Sequence, residues 1–566
     1  MDIETVRFTD EGIRSLEATE KGTNWPVVYI IHNNESAYIG ETCDVMNRLF
    51  QHLANEERRK LELAEIIIDE EFNKSAVLDT EQKLIRLCKA DGRFNLQNRN
   101  AGQSPSHNYY KRIYYEAKLS EIWAKLLEKG LAKTPHGDLV NKSVYKYSPY
   151  TSMTTEQISV YSRILRDITS CMRNNREGTF VVHGGAGTGK TILAMNILRT
   201  LVNSAIQETD ELIIDSDEDV AALNGLVRTV KKNFSEKPRV AFCTPISELR
   251  TVLEKVVSEC GLGDNLVLSP EEIAQSTGNP FDVIVVDETH RLKIRKNIQN
   301  YELFKKCSEG LGLDQYKCSQ LDWIIKRSKY RILFYDKEQS IKGSDLGHER
   351  FQRTIGDCNE AYLQTQMRCL GGKSFTDYID SILNCKNPKK ERFGQNFTFR
   401  LFDDVEEMIK CIKEKENEMK LCRTVAGYSW EWKQKTKSYE YKKEHEIYDI
   451  EIYGHRYIWN TRHDGWILSK HAIDEIGCIH STQGFDLNYV GVIFGREIDH
   501  DPVSNKIIIN KKLFYDRNVK AATEKEELET YIRNTYRVLL TRGIHGCYVY
   551  AYNKNMRDYL RKYIDC

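Results

Sequence analysis

The sequence predicts an α/β protein: a small α/β domain followed by two lobes, each built on a mostly parallel sheet. Three observations predict it. From about residue 145 onward, short apolar runs alternate with charged helical stretches, the rhythm of parallel strands wrapped by helices. A glycine-rich loop, Gly184-Gly185-Ala186-Gly187-Thr188-Gly189-Lys190-Thr191, joins one such run to a helix. A shorter unit over about residues 25–100 holds two apolar runs and two helical patterns of its own.

In chain order, Val27-Val28-Tyr29-Ile30-Ile31 meets an Asn33-Asn34 turn and a second run at Ala37-Tyr38-Ile39. Asp44 is placed to cap a helix reaching about Leu53. A second helix fits 76–89, with Leu78, Leu84, Ile85 and Leu87 at apolar positions. Beyond Asn100, a polar stretch with Tyr109, Tyr110, Tyr114 and Tyr115 leads into a helix over about 117–129, and Pro135, Gly137 and Pro149 mark a connector. Strands are expected at 179–183, 239–243, 283–286 and 331–335, and again at 398–402, 423–428, 477–480, 490–494 and 547–550. A charged insert, 433–443, reads as a solvated excursion from the second lobe. The expected domains are therefore 1–100, a helical linker over 101–145, a first lobe over 146–350 and a second over 351–566.

At 566 residues the chain exceeds one core. Lys+Arg and Asp+Glu are both 83, so contact with a polyanion has to come from local patches rather than overall charge. No run approaches a membrane span, and the acidic start Met1-Asp2-Ile3-Glu4 lacks the apolar core of a signal peptide. The 15 cysteines show no C-x-x-C pair, which fits reduced thiols in a cytoplasmic protein.

The glycine-rich loop follows Phe180-Val181-Val182-His183 and precedes Ile192-Leu193-Ala194-Met195. Strand, loop and helix thus fall in the order of a phosphate cradle, whose backbone N–H groups face the phosphates. Lys190 would reach the β/γ-phosphates of ATP and Thr191 would ligate Mg2+. Val283-Ile284-Val285-Val286-Asp287-Glu288 supplies the second half: Asp287 for the magnesium shell, Glu288 to polarise the attacking water. Gln157, in Thr154-Thr155-Glu156-Gln157, offers an amide that can read adenine, and Gln339, in Asp336-Lys337-Glu338-Gln339, can sense the γ-phosphate. Gln366-Met367-Arg368 and Arg537-Val538-Leu539-Leu540-Thr541-Arg542 place arginines in the later lobe. Thr244, Pro245 and Ser481-Thr482-Gln483 are candidate strand contacts, with Trp430 and Trp432 as stacking candidates that suit a core equally well.

In this order the motifs resemble those of superfamily 1 helicases, most closely the Schlafen-like DNA/RNA helicase domain, over about residues 145–550. The resemblance implies two RecA-like lobes with ATP between them, and arginines Arg368 and Arg542 crossing from lobe two to the γ-phosphate. Such arginines are worth about 10³–10⁵ in rate. Tyr335 stands where that family often has glycine.

In the small unit, Tyr29 and Tyr38 lie on consecutive strands, Arg48 and His52 share one helix face, Glu81 lies on the next helix, and Asn95 follows it. A phosphodiester hydrolase needs a base, a magnesium ion and a cation for developing charge. Together with Tyr38-Ile39-Gly40, Gly40-Glu41-Thr42 and Asp44, these residues resemble the GIY-YIG nuclease family, although Val27 replaces the first glycine. The resemblance implies Tyr29, assisted by His52, as general base or nucleophile-orienting phenol, Tyr38 and Arg48 on the scissile phosphate, Glu81 as the protein ligand of Mg2+, and Asn95 fixing local geometry.

The leading reading is an ATP-dependent helicase or translocase fused to a Mg2+-dependent endonuclease, acting on nucleic acid, DNA ahead of RNA, in repair, restriction or defence. The alternative is a nucleic-acid-binding signalling ATPase with an inactive nuclease fold.

Overall fold

The computed structural model describes the chain apart from residues 19–23, 99–111, 150, 152, 186, 203–224, 231, 235–236, 340–343, 367–368, 394–396, 463–465, 483–485, 517–519 and 521–524, and the side chains of 18, 112–113, 116–117, 338, 468 and 525–527. The described residues fall into two compact units. The first comprises those of Met1–Ser162, Thr191–Ile213 and Val252–Leu266, the second those of Arg163–Lys190, Ile214–Thr251 and Val267–Cys566.

The first unit carries a sheet of β1 (Asp2–Arg7), β2 (Val27–His32), β3 (Ser36–Thr42), β4 (Leu63–Ile68) and β5 (Asn95–Leu96), in the order β1-β4-β2-β3-β5. All six residues of β2 are buried, as its unbroken apolar run requires of a central strand. The β2–β3 turn is set by Asn33, whose side-chain oxygen accepts from the backbone N–H groups of Glu35 and Ser36. Asp44 caps the helix Val45–Leu53 through Asn47 N. Asn73 caps the helix Lys74–Asp91, and Gly92, at φ 65°, ends it in the left-handed conformation. The expected linker is helical from Arg112–Glu128 onward, with short turns at His136–Leu139 and Ser143–Lys146.

Strands β1 and β4 were not anticipated. β4 is an apolar run broken by Glu65, and the fold reconciles that carboxylate with burial: Thr5 Oγ1 donates to it at 2.8 Å and Lys129 Nζ at 2.9 Å. Burial disfavours the Glu65 charge, yet His32, Lys129 and Thr5 outweigh it and hold its carboxyl below the usual range.

The second unit contains two parallel sheets. The first is formed by β6 (Gly178–Gly184), β7 (Val240–Cys243), β8 (Val267–Leu268), β9 (Phe281–Val286), β10 (Ser328–Tyr335) and β11 (Asn359–Leu363), in the order β11-β6-β10-β9-β7-β8, every pair parallel. Because β11 pairs with β6, this lobe continues through Leu363, past the expected division at 350. The second sheet is formed by β12 (Thr398–Phe402), β13 (Cys422–Ala426), β14 (Ile450–Ile452), β15 (His455–Trp459), β16 (Glu475–Gly477) and β17 (Leu487–Phe494). After a two-stranded ribbon of β18 (Ile498–Asp501) and β19 (Lys506–Ile509), it is completed by β20 (Gly543–Ala551). The order is β12-β20-β17-β13-β16-β15-β14, antiparallel only at the β14–β15 edge. Alternate residues of β17 feed separate cores: Val490, Val492 and Phe494 one, Tyr489 and Ile493 the other.

Two expectations change here. The run expected as a strand at 477–480 ends at Gly477, and His480 belongs to the short helix Ile479–Thr482. Ser481 and Thr482 return their hydroxyls to the carbonyl of Cys478, a bond that favours a tight turn over an extended strand. The insert 433–443 is not wholly solvated either. Lys442 is fully buried against Asp449, at 2.8 Å, and Asp449 also accepts from the backbone N–H groups of Lys433 and Trp459. Asp449→Ala would leave a buried ammonium without its counter-ion, and a loss of about 3–5 kcal/mol is expected, read as an earlier unfolding transition in urea.

Candidate functional site

In the second unit, β6 delivers the chain into the glycine-rich loop. Gly187 and Gly189 adopt φ of 78° and 79°, a backbone that side chains resist. A Cβ on Gly184 would stand 2.5 Å from Thr188 Oγ1. Lys190, 6% exposed, turns its ammonium onto the loop itself, donating to Gly184 O at 2.7 Å and Gly185 O at 2.8 Å. The same nitrogen lies 3.4 Å from Asp336 Oδ2. Thr191 follows as the second residue of the helix Lys190–Val202, and Ala186 lies outside the described residues.

β9 ends in Asp287, which is completely buried, its Oδ1 accepting from Glu288 N at 2.9 Å. Glu288 is held at φ 54°, the left-handed region, at a cost of about 1–2 kcal/mol that the surrounding contacts must offset. Its carboxylate lies at ion-pair distance, 3.0 Å, from His290 Nε2. His290 Nδ1 accepts from Asp336 N at 3.4 Å, which leaves Nε2 as the donor facing Glu288. Burial opposes the charge on Glu288, but His290, Lys190 and Arg542 together hold its carboxyl well below the ordinary range.

Arg542 lies between the helix Lys525–Leu540 and β20, and its charge is the weakest of the influences that lower Glu288. Gln339 Nε2 donates to Asp336 Oδ2 at 2.7 Å, which links it to Lys190 through the shared carboxylate. The loop, Lys190 and Gln339 therefore meet around Asp336, with Glu288 joined to Asp336 through His290. Two partners had no role assigned from sequence, Asp336 and His290. Tyr335 stacks on Phe351 with ring centroids 4.0 Å apart and fills the place of the family's glycine with core.

The remaining expectations divide. Arg368 and Gln483 lie outside the described residues. Arg537 grips Asp380 with two bonds, of 2.5 and 2.9 Å, inside the second lobe. Thr244 is fully buried and Trp430 is 3% exposed, with its Nε1 donating to Glu451 O, so both serve the core. Gln157, in the first unit, exchanges bonds with Thr154: its Oε1 accepts from Thr154 N at 2.9 Å, and Thr154 Oγ1 accepts from Gln157 N at 3.2 Å. That reciprocal pair is a capping box at the start of the helix Thr155–Arg173.

The first unit holds a second cluster. Tyr29 of β2 faces Gly40 of β3 across the ladder, and a Cβ at residue 40 would meet the Tyr29 hydroxyl at 2.2 Å. The glycine of Tyr38-Ile39-Gly40 is thus the space the phenol occupies. Tyr29 Oη lies 2.7 Å from His52 Nε2, and Arg48 also reaches that hydroxyl. Burial pushes the Tyr29 hydroxyl well above the tyrosine range, Tyr38 and Glu81 add to the effect, and Arg48 works against it. The Tyr38 ring packs tilted against His52, with centroids 4.8 Å apart. Glu81, 6% exposed, lies on the helix Lys74–Asp91.

Asn95 does not share this geometry: its side chain is exposed on β5, and its backbone N–H donates to Glu35 O. Asn98 performs the fixing role instead, its Oδ1 accepting from Ile39 N at 2.9 Å and its Nδ2 donating to Ile39 O at 2.8 Å. With asparagines at 95, 98 and 100, spacing alone could not choose between them. Among the described residues, no three His, Cys, Asp or Glu side chains gather to hold a metal. Among the same residues, no helix is long and apolar enough to cross a membrane.

The sequence model of the Schlafen group 3, DNA/RNA helicase domain matches residues 177–553. An uncharacterized protein of Saccharomyces cerevisiae (strain ATCC 204508 / S288c) is 28% identical over 478 residues, covering 76% of this chain and 94% of its own length. The matched segment contains the phosphate loop and both parallel sheets, and on that match the chain belongs to the Schlafen group 3, DNA/RNA helicase domain family, a group of nucleic-acid-related ATPases of the helicase type.

Proposed function

We propose that the chain is an ATP-driven nucleic-acid translocase or helicase carrying a Mg2+-dependent strand-cutting domain at its front. The observation that carries the motor half is the cluster at the loop: Lys190 sits on the carbonyls of Gly184 and Gly185 and 3.4 Å from Asp336, to which Gln339 also donates. Nucleotide clasped there by the second-lobe Arg542 would draw the lobes together, and hydrolysis would release them. Lys190 and the loop amides bind the phosphates, Asp287 and Thr191 serve the magnesium ion, and Glu288 orients the attacking water. Gln339 reports on the γ-phosphate through Asp336. Gln157 reads adenine with an amide whose oxygen it shares with the helix cap, and Arg368 joins Arg542 at the γ-phosphate.

For the cutting half, support comes from Tyr29, Tyr38, Arg48, His52 and Glu81 forming one cluster around a glycine-made space. Tyr29 orients the attacking water as a phenol, Arg48 and Tyr38 bind the scissile phosphate, and Glu81 would hold Mg2+, which when bound neutralises phosphate charge. Asn98 keeps β3 in register. DNA ranks ahead of RNA, and repair, restriction or defence is the setting, by fold-level analogy. The test is cleavage of single strands, duplexes, forks and RNA with and without ATP and Mg2+. Magnesium-dependent cutting is expected, and a chain that cuts none of them lacks the activity.

A further inference from the structure

Arg58 lies outside every motif considered above, yet it is bonded into the strand-cutting cluster. It opens the short turn Arg58–Lys60, shaped by Asn55, whose side-chain oxygen accepts from the backbone N–H groups of Glu57 and Arg58. From that turn its guanidinium reaches His52 Nδ1 at 2.6 Å and lies over the Tyr38 ring, 4.0 Å from the centroid.

A guanidinium only donates and keeps its charge throughout the biological pH range. His52 Nδ1 must therefore accept. The imidazole is neutral: burial, with Arg58 and Arg48 adding to it, pushes its pKa down to about 2. Its one proton then resides on Nε2, and Nε2 lies 2.7 Å from Tyr29 Oη. In this arrangement His52 cannot take a proton from Tyr29; it gives a hydrogen bond to it.

We propose that Arg58 is a positioning residue that locks His52 in the Nε2–H tautomer, so that His52 donates to Tyr29 and fixes the phenol with its own proton directed away from the histidine. By lying on Tyr38 as well, it ties the two tyrosines and the histidine into one unit. This assignment rests on the strand-cutting reading for its purpose, but not for its measurement.

The experiment is nitrogen NMR of the full chain labelled at histidine, with His52 identified by its loss in His52→Gln. In the unaltered protein, Nδ1 is expected to show the shift of an unprotonated ring nitrogen and Nε2 that of a protonated one. Arg58→Met, which keeps the volume and removes the donor, should move proton population onto Nδ1. Arg58→Lys retains a donor and should restore the original pattern, and it replaces Arg58→Met as the informative variant if the latter does not fold. Where cutting is measured, Arg58→Met should lower kcat by about 10²-fold with ATP turnover unchanged. A proton on Nδ1 in the unaltered protein, or an unchanged tautomer in Arg58→Met, overturns the assignment. A chain that cuts no strand removes the strand-cutting reading and leaves the tautomer to judge Arg58.

Discussion

Lys190→Ala removes ATP turnover, by about 10²–10³-fold at saturating nucleotide, and leaves the parallel sheets folded. The side chain is nearly fully buried, and its ammonium sits on two loop carbonyls, at 2.7 and 2.8 Å, and beside Asp336. It is stored where phosphate oxygens would replace those carbonyls as acceptors, so the exchange from closed loop to phosphate cradle needs little movement. Its loss leaves Asp336 with the Gln339 amide still donating to it, which is why collapse of the fold is not expected. Phosphate release checks the rate and circular dichroism checks the fold. Unchanged turnover would show that the loop does not serve ATP.

Glu81→Ala should abolish magnesium-dependent strand cutting, a fall of about 10²-fold or more, with ATP turnover retained. The direction is informative because Glu81 raises the pKa of the Tyr29 hydroxyl in the protein as it stands. If the carboxylate served only to tune that phenol, its removal would make Tyr29 the easier base, and cutting would survive or improve. If it holds the cation, removing it takes away the charge that stabilises the scissile phosphate. Cleavage that persists in Glu81→Ala refutes the metal assignment, and a gel assay on labelled strands distinguishes the outcomes.

The fold was largely legible because its signals are local. Apolar runs between glycine and asparagine turns gave β2, β3, β6, β9, β10 and β20 to within a few residues, and Asp44 caps its helix as its place in the chain predicts. What escaped depends on contacts distant in sequence. β4 was hidden by Glu65, whose burial is tolerable only because Thr5 and Lys129 lie opposite. β11 joins the first sheet by pairing with β6, a choice invisible in its own five residues.

Within the sites, Lys190, Glu288, Tyr29 and Glu81 stand out from residue type and order alone. Residues that act by touching them do not. His290 and Asp336 matter because one hydrogen bond, of 3.4 Å, joins them between Glu288 and Lys190. Arg58 matters because a turn folds it back onto His52, and Asn98 rather than Asn95 because only its amide meets both polar groups of Ile39.

The most direct test of the motor at the centre of this account is steady-state ATP turnover of the full chain, titrated with single-stranded DNA and RNA. Saturable stimulation is expected, weakening as salt rises because phosphate contacts dominate the grip, and lost in Arg542→Ala, which removes the second-lobe cation proposed for the γ-phosphate. Turnover that no nucleic acid alters would contradict it.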